Sequence, residues 1–118
     1  MTETNPIYNK KDESKKPTLG DLRRTFTKNI IKLLTRIIDD GLNPMIGRDG
    51  DLHMRGSLHY DGLAMDIILM KDGTILTDTP SHLPYGIFWK GLDPANCWGG
   101  DFAKSDGNHY SMTYQGKR

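Results

Sequence analysis

The stretch SLHYDGLAMDIILM, residues 57–70, places a histidine, a glycine and an aspartate at the start of a hydrophobic run. Residues 63–70 have the length and apolar character of a buried strand. Asp66 interrupts that run, and a buried carboxylate is costly unless a cation or hydrogen-bond donors compensate its charge. Gly62 permits a sharp turn before the strand. The stretch is therefore either an ordinary turn leading into a strand or one half of a metal site.

An amphipathic helix precedes this stretch. Between Phe26 and Leu42, hydrophobic residues recur at spacings of three and four, which places them on one face of a helix. Thr18 or Asp21 is positioned to cap the start of this helix, and Gly41 to lie just past its end. The pattern predicts a helix that packs its apolar face against the core.

Short strands and turns are expected after the helix. The dipeptide Asp72-Gly73 predicts a type I′ hairpin turn after the strand at residues 63–70. The other expected elements are a return strand at 74–78, a short helix entered through Pro84, a glycine-rich loop at 93–102 and a last strand at 108–115. A helix followed by a mainly antiparallel sheet is an α+β domain.

The composition of the 118-residue chain predicts one domain, with a flexible arm at residues 1–17 and a folded part at 18–118. The net charge of +1 gives no reason to expect nucleic acid or a membrane surface as a partner. The single cysteine, Cys97, cannot form an internal disulfide, as is typical of proteins folded in a reducing cytosol. No secretory signal is expected, and the most apolar segment, 29–38, is too short to span a bilayer.

Two of the four histidines have neighbours that suit a metal site. His109 begins the last predicted strand, and antiparallel pairing can bring it beside Asp66. Two neutral imidazoles, from His59 and His109, and one carboxylate suit Zn²⁺, with the fourth position left for water. A single histidine is more often a hydrogen-bonded structural residue, so this alternative stays open. His82 is expected to be such a loop residue, and His53 to be structural or to lie behind the metal ligands.

A second carboxylate, Asp106, lies three residues before His109. A tight turn between them can hold Asp106 beside a metal ion, where it can take a proton from water and pass it to a leaving amine. The sequence SDGN, residues 105–108, is also typical of an ordinary turn. A turn and a catalytic role for Asp106 are compatible.

These residues resemble a family: the zinc D-Ala-D-Ala carboxypeptidases, the vancomycin-resistance D,D-dipeptidases and the phage L-alanyl-D-glutamate endopeptidases. SLHYDGLAMD matches the pattern Ser-x-His-x-x-Gly-x-Ala-x-Asp, and CWGGDF and DGNHY follow in the family's order, over residues 55–112. The resemblance implies a hedgehog/DD-peptidase-like fold and one Zn²⁺ per chain. Its implied zinc ligands are His59, Asp66 and His109, and its implied acid/base is Asp106.

The resemblance also implies residues that contact the substrate. Ser57 matches a family serine close to the substrate, Trp98 belongs to a loop that shapes the site, and Tyr110 replaces a more common phenylalanine in packing. The family's oxyanion-stabilising arginine usually lies well upstream of the Ser-x-His motif, and this chain departs from that pattern. Arg55 is favoured because it would share a face with the serine on an extended segment, and Arg48 is the alternative.

The residues and the resemblance together predict a zinc metallopeptidase that hydrolyses a peptide-stem bond of bacterial peptidoglycan. We expect a monomer similar to a single-domain phage endolysin, made in the host cytoplasm and acting on the cell wall after release. The alternatives are a D-Ala-D-Ala carboxypeptidase or dipeptidase of the same fold, and a non-catalytic structural protein that binds a metal. The presence of Asp106 favours an enzyme over the structural protein.

Overall fold

The computed structural model describes residues 16–47 and 56–118 of the chain. Its elements are α1 (Leu19–Asp39), β1 (Asn43–Ile46), β2 (Ala64–Lys71), β3 (Thr74–Leu76), α2 (Thr79–Leu92), β4 (Asn96–Trp98), a 3₁₀ turn (Gly99–Asp101) and β5 (His109–Met112). These elements form the predicted α+β domain. The predictions for His53, Arg48, Arg55 and nearly all of the N-terminal arm lie outside the described residues. In the described ranges, neither helix is long and apolar enough to cross a membrane.

Helix α1 begins and ends where its capping residues predict. Thr18 Oγ accepts a hydrogen bond from the Asp21 amide, and the Asp21 carboxylate accepts one from the Thr18 amide, both at 3.0 Å. This reciprocal pair is a capping box. Gly41 follows the C-terminal cap with a φ of +89°, a left-handed conformation that favours glycine. The buried face consists of Phe26, Asn29, Ile30, Leu33 and Ile37.

The predicted hairpin joins β2 to β3. Asp72 and Gly73 have φ values of +50° and +80°, and positive φ at both central residues is the signature of a type I′ turn. The return strand is shorter than predicted and ends at Leu76, because Asp78 caps the following helix.

Helix α2 begins earlier than the sequence predicts. The Asp78 carboxylate accepts hydrogen bonds from the Ser81 amide at 3.2 Å and the Ser81 hydroxyl at 2.6 Å, which fixes the start of α2 at Thr79. The prediction that the helix is entered through Pro84 is therefore wrong, and Pro84 lies inside α2. A proline there removes a single backbone hydrogen bond, and the packing of α2 on the core compensates for it.

The strands form one antiparallel sheet in the order β1-β2-β5-β4, with β3 paired to the far end of β2. The segment at residues 93–102 is not only a loop, because it contains β4 and the 3₁₀ turn. The register between β2 and β5 places Asp66 directly opposite His109. This pairing confirms that the last strand brings His109 beside Asp66.

The core lies between the two helices and one face of the sheet. Trp89 of α2 is fully buried, and its indole N–H lies 3.0 Å from the carbonyl oxygens of both Cys97 and Ser111, which ties the helix to β4 and β5. Ile67 and Leu69 of β2 are also fully buried. Because side chains alternate along a strand, the opposite face of β2 is left to Asp66 and its neighbours.

Candidate metal centre

The register of β2 and β5 brings two candidate ligands together. Asp66 and His109 are cross-strand partners, and side chains at such positions lie within contact distance. The Ile67 amide donates to the Asn108 carbonyl at 2.9 Å, which holds the two strands in this register. The His109 amide donates to the Asp106 carbonyl at 3.0 Å, so the start of β5 is joined to the preceding turn.

His59 reaches the site from a short helical turn. Ser57 Oγ accepts a hydrogen bond from the His59 amide at 3.1 Å, and the Gly62 amide donates to the His59 carbonyl at 3.2 Å. Leu58 is buried in the core and anchors the turn, and its carbonyl accepts from the Leu63 amide at 3.0 Å. Gly62 has a φ of +74°, which lets the chain reverse into β2.

Three donor atoms converge between these elements. Asp66 Oδ1 lies 3.3 Å from His59 Nε2 and 3.6 Å from His109 Nδ1. One ligand atom from each residue can be chosen so that all three lie within 4.8 Å of one another. Tetrahedral Zn²⁺ with ligands at 2.0–2.1 Å holds its ligand atoms about 3.3 Å apart. The donor set and its spacing therefore fit one small cation.

The surroundings of these side chains restrict them. The side chains of His59 and His109 are 14% and 10% exposed, and that of Asp66 is 28% exposed. The Phe102 ring packs against His109, with 5.4 Å between the ring centroids. His109 Nε2 is buried, and no group among residues 16–47 and 56–118 forms a hydrogen bond with it. His109 therefore presents Nδ1 to the site, and its other nitrogen is shielded from water.

The three side chains lie in a cleft with a volume of about 570 Å³. The residues that line it are Gly56, Ser57, Leu58, His59, Asp66, Phe102, Asp106, His109, Lys117 and Arg118. Asp106, predicted to be the acid/base, is exposed and stands in the same cleft as the three candidate ligands. Ser57, predicted to contact the substrate, also lines it.

The turn that carries Asp106 is fixed by close backbone contacts. The Asp106 amide donates to the Gly99 carbonyl at 2.9 Å. A β-carbon at Gly99 would lie 2.1 Å from the Asp106 carbonyl oxygen, so only glycine allows this approach. The 3₁₀ turn therefore supports the position of Asp106 in the cleft wall.

Trp98 lies behind this turn. The sequence predicts contact with the substrate, but Trp98 is only 3% exposed and its indole N–H donates to the Gly107 carbonyl at 2.7 Å. Its ring occupies a slot between Gly86 and Gly100, where an added β-carbon would lie 2.2 Å from ring atoms. The indole thus positions the turn that holds Asp106 and does not line the cleft.

His82 is the structural histidine that the sequence predicts, although it lies on α2 and not in a loop. It is 1% exposed, and its Nδ1 lies 2.8 Å from the Tyr110 hydroxyl oxygen. Burial lowers the pKa of His82 below its ordinary value, while the negative charges of Asp78 and Asp106 oppose that shift. Burial raises the pKa of Tyr110, which keeps its hydroxyl protonated as a partner for His82.

Five cleft residues were not predicted from the sequence as site residues: Gly56, Leu58, Phe102, Lys117 and Arg118. The arginines considered from the sequence, Arg55 and Arg48, lie outside the described residues. There was little reason in the sequence to place Lys117 and Arg118 in the site, because a basic pair after a glycine does not indicate which part of the protein the two side chains contact.

Comparison with known proteins identifies a structural relative. No family model matches the chain, and no curated protein matches it. Among solved structures, the chain is similar to the crystal structure of the Serratia marcescens L-Ala D-Glu endopeptidase ChiX, with a TM-score of 0.57. The chain shares its fold with this endopeptidase. The match covers 81% of this chain and 86% of ChiX at 15% sequence identity, and it confirms the predicted DD-peptidase-like fold class.

Proposed function

We propose that this protein is a zinc-dependent peptidase that hydrolyses a peptide-stem bond of bacterial peptidoglycan, in the manner of a phage-type L-alanyl-D-glutamate endolysin. One observation carries the proposal. His59, Asp66 and His109 converge to within 4.8 Å in a cleft that also contains the carboxylate of Asp106. The fold shared with the endopeptidase ChiX supports the choice of a peptide bond as the target.

The metal would be held by His59 Nε2, Asp66 Oδ1 and His109 Nδ1. Bound Zn²⁺ supplies Lewis acidity and lowers the pKa of water from about 15.7 towards about 7. Three protein ligands are typical of catalytic zinc sites, since structural sites use four. The set of three donors found among residues 16–47 and 56–118 therefore favours a catalytic centre over the structural metal-binding alternative.

Asp106 has the position required of a general acid/base. Its carboxylate is exposed in the cleft, so it can accept a proton from the attacking water and donate that proton to the leaving amine. The backbone contacts to Gly99 and His109 hold Asp106 at a fixed separation from the ligand three residues later. This fixed geometry contributes to the rate because the proton acceptor is already in place when the substrate binds.

The cleft also suits a peptide. Its volume of about 570 Å³ is within the usual range for small-molecule sites and accommodates a few residues of an extended stem. Ser57 Oγ accepts a hydrogen bond from the His59 amide, so its own hydroxyl hydrogen is available to a substrate carbonyl.

The test is digestion of purified peptidoglycan by the zinc-loaded protein, followed by mass analysis of the fragments. We expect cleavage between L-Ala and D-Glu, and loss of a terminal D-Ala would instead identify a carboxypeptidase. Asp106→Asn should slow the release of fragments by about 10²–10⁴-fold. The matched control is Asp101→Asn, an exposed carboxylate of the 3₁₀ turn that pairs with Lys90 outside the cleft and should leave the rate close to wild type. No cleavage by the wild type, or an unchanged rate for Asp106→Asn, contradicts the proposal.

A further inference from the structure

We propose that Arg118 binds a carboxylate of the peptide substrate at the rim of the metal-site cleft. This contact gives the cleft a preference for an acidic residue beside the bond to be cleaved. The identity of the peptide rests on the proposed function, whereas carboxylate binding at Arg118 can be measured without hydrolysis.

A tight turn folds the backbone back towards the cleft. The Tyr114 amide donates to the Lys117 carbonyl at 3.1 Å, and the Lys117 amide donates to the Tyr114 carbonyl at 2.9 Å. Gln115 and Gly116 have φ values of +50° and +77°, which is the conformation of a two-residue type I′ turn. The residues that follow the turn therefore have a defined direction.

An ion pair fixes the end of this turn to the loop that carries His59. Lys117 Nζ lies 2.8 Å from Asp61 Oδ2, and Asp61 is two residues beyond His59. The Lys117 charge is thus compensated within the protein. Lys117 acts as a tether, and the neighbouring cation, Arg118, is left to interact with a ligand.

The guanidinium of Arg118 is oriented by an aromatic ring. Its Cζ lies 4.7 Å from the centroid of the Phe102 ring, and that ring packs against His109. Stacking on one face of the guanidinium leaves its N–H edge available for the two parallel hydrogen bonds of a carboxylate. The Phe102 ring therefore lies between Arg118 and His109, which is a candidate metal ligand.

Arg118 also has the charge environment of a ligand-binding arginine. Among residues 16–47 and 56–118, no carboxylate forms an ion pair with Arg118, whereas Arg24 is paired with Asp21 of α1 and Arg36 with Asp40 at the C-terminal cap of α1. The cleft also contains the exposed carboxylate of Asp106, which repels an acidic substrate. A cation at the rim compensates for that repulsion and favours an acidic peptide.

The test compares two capped L-alanyl-D-glutamyl peptides whose sole difference is a free carboxylate or a carboxamide on the D-glutamyl residue. Binding is measured by calorimetry with zinc-loaded Asp106→Asn protein, so that hydrolysis does not interfere. We expect the acid peptide to bind about 10- to 100-fold more tightly than the amide, as is typical of a charge-assisted contact. Arg118→Gln should abolish that preference by weakening the acid peptide alone, and Arg118→Lys should retain part of it.

The matched control is Arg24→Gln, an exposed arginine of α1 that lies outside the cleft and should keep the full preference. A preference that survives Arg118→Gln, equal losses for both peptides, or no binding of either peptide overturns the inference. Failure of the proposed function gives a different result, in which the protein with Asp106 intact cleaves neither peptide while the binding preference remains.

Discussion

Two successive residues of β5, His109 and Tyr110, contact histidines in two different environments. Tyr110 is fully buried and lies 2.8 Å from His82 on the core side of the strand. His109 lies beside His59 and Asp66 on the cleft side. Side chains alternate along a strand, so a shift of one position separates a core hydrogen bond from a candidate metal centre.

The difference between the two regions lies in charge and access. His82 is closed off from solvent, and in the described parts of the chain it forms no ion pair with a carboxylate. His59 and His109 share the carboxylate of Asp66 and line an open cleft. A buried neutral imidazole with one hydrogen bond contributes to stability, whereas two imidazoles that share a carboxylate at a cleft can bind a metal.

The largest effect is expected on zinc affinity, from Asp66→Ala on the cleft side. The substitution removes one of three ligands and the only negative charge among them. Zinc affinity should fall by at least about 100-fold. Loss of a residue that only hydrogen-bonds to a metal ligand already lowers the metal affinity by about 10- to 100-fold, and loss of a ligand itself should lower it further. A competition titration against a chromophoric chelator measures this. Asp101→Ala is the control, and a zinc affinity for Asp66→Ala equal to that of Asp101→Ala means that Asp66 is not a ligand.

The second-largest effect is expected on stability, from His82→Ala on the core side. The change leaves a cavity and deprives the buried Tyr110 hydroxyl of its partner, so the free energy of unfolding should fall by about 2–4 kcal/mol. Urea denaturation of the metal-free protein measures this loss. Zinc affinity should stay close to that of the wild type. A fall in zinc affinity as large as that of Asp66→Ala shows that the two regions are not separate.

A smaller effect is expected behind the Asp106 turn, from Gly86→Ala. The new methyl group would meet the Trp98 ring, and such overpacking typically costs about 1–3 kcal/mol of stability. The matched control is Gly91→Ala in the same helix, where no atom lies within 4 Å of the new β-carbon. That change should be neutral or stabilising by up to about 1 kcal/mol. Equal unfolding free energies for the two variants would show that the slot around Trp98 is not tight.

The smallest effect concerns pH. Because burial lowers the pKa of His82 in the folded protein, the unfolded chain binds a proton more readily as the pH falls below the ordinary value of 6.5. The stability contribution of His82 is therefore complete above pH 6.5 and is lost as the pH falls towards the lower folded value. Unfolding of the metal-free wild type and His82→Gln, followed between pH 7.5 and pH 5, should show a steeper loss for the wild type. Parallel curves contradict the neutral, buried state of His82.

Local chemistry made some features predictable from the sequence. The caps of α1 and the Asp72-Gly73 hairpin follow from short-range hydrogen bonding and backbone preference. The pairing of Asp66 with His109 was predictable because an aspartate in an apolar strand requires a partner, and antiparallel pairing supplies one.

Other features depend on contacts between residues distant in the chain. The start of α2 was misplaced because two signals compete there, and the cap at Asp78 overrides the proline at Pro84. The direction of the Trp98 indole is set by Gly86, twelve residues away, which no local pattern around Trp98 reveals. The position of Arg118 depends on the ion pair of the preceding lysine with a loop more than fifty residues earlier.

The central claim is that two imidazoles and one carboxylate of this chain bind one zinc ion. Zinc K-edge X-ray absorption on the zinc-loaded wild type tests this claim most directly. We expect one zinc per chain with two imidazole ligands and only nitrogen or oxygen donors, at about 2.0–2.2 Å. Absence of imidazole scattering, or a sulfur ligand at about 2.3 Å that assigns the metal to Cys97, would contradict the account.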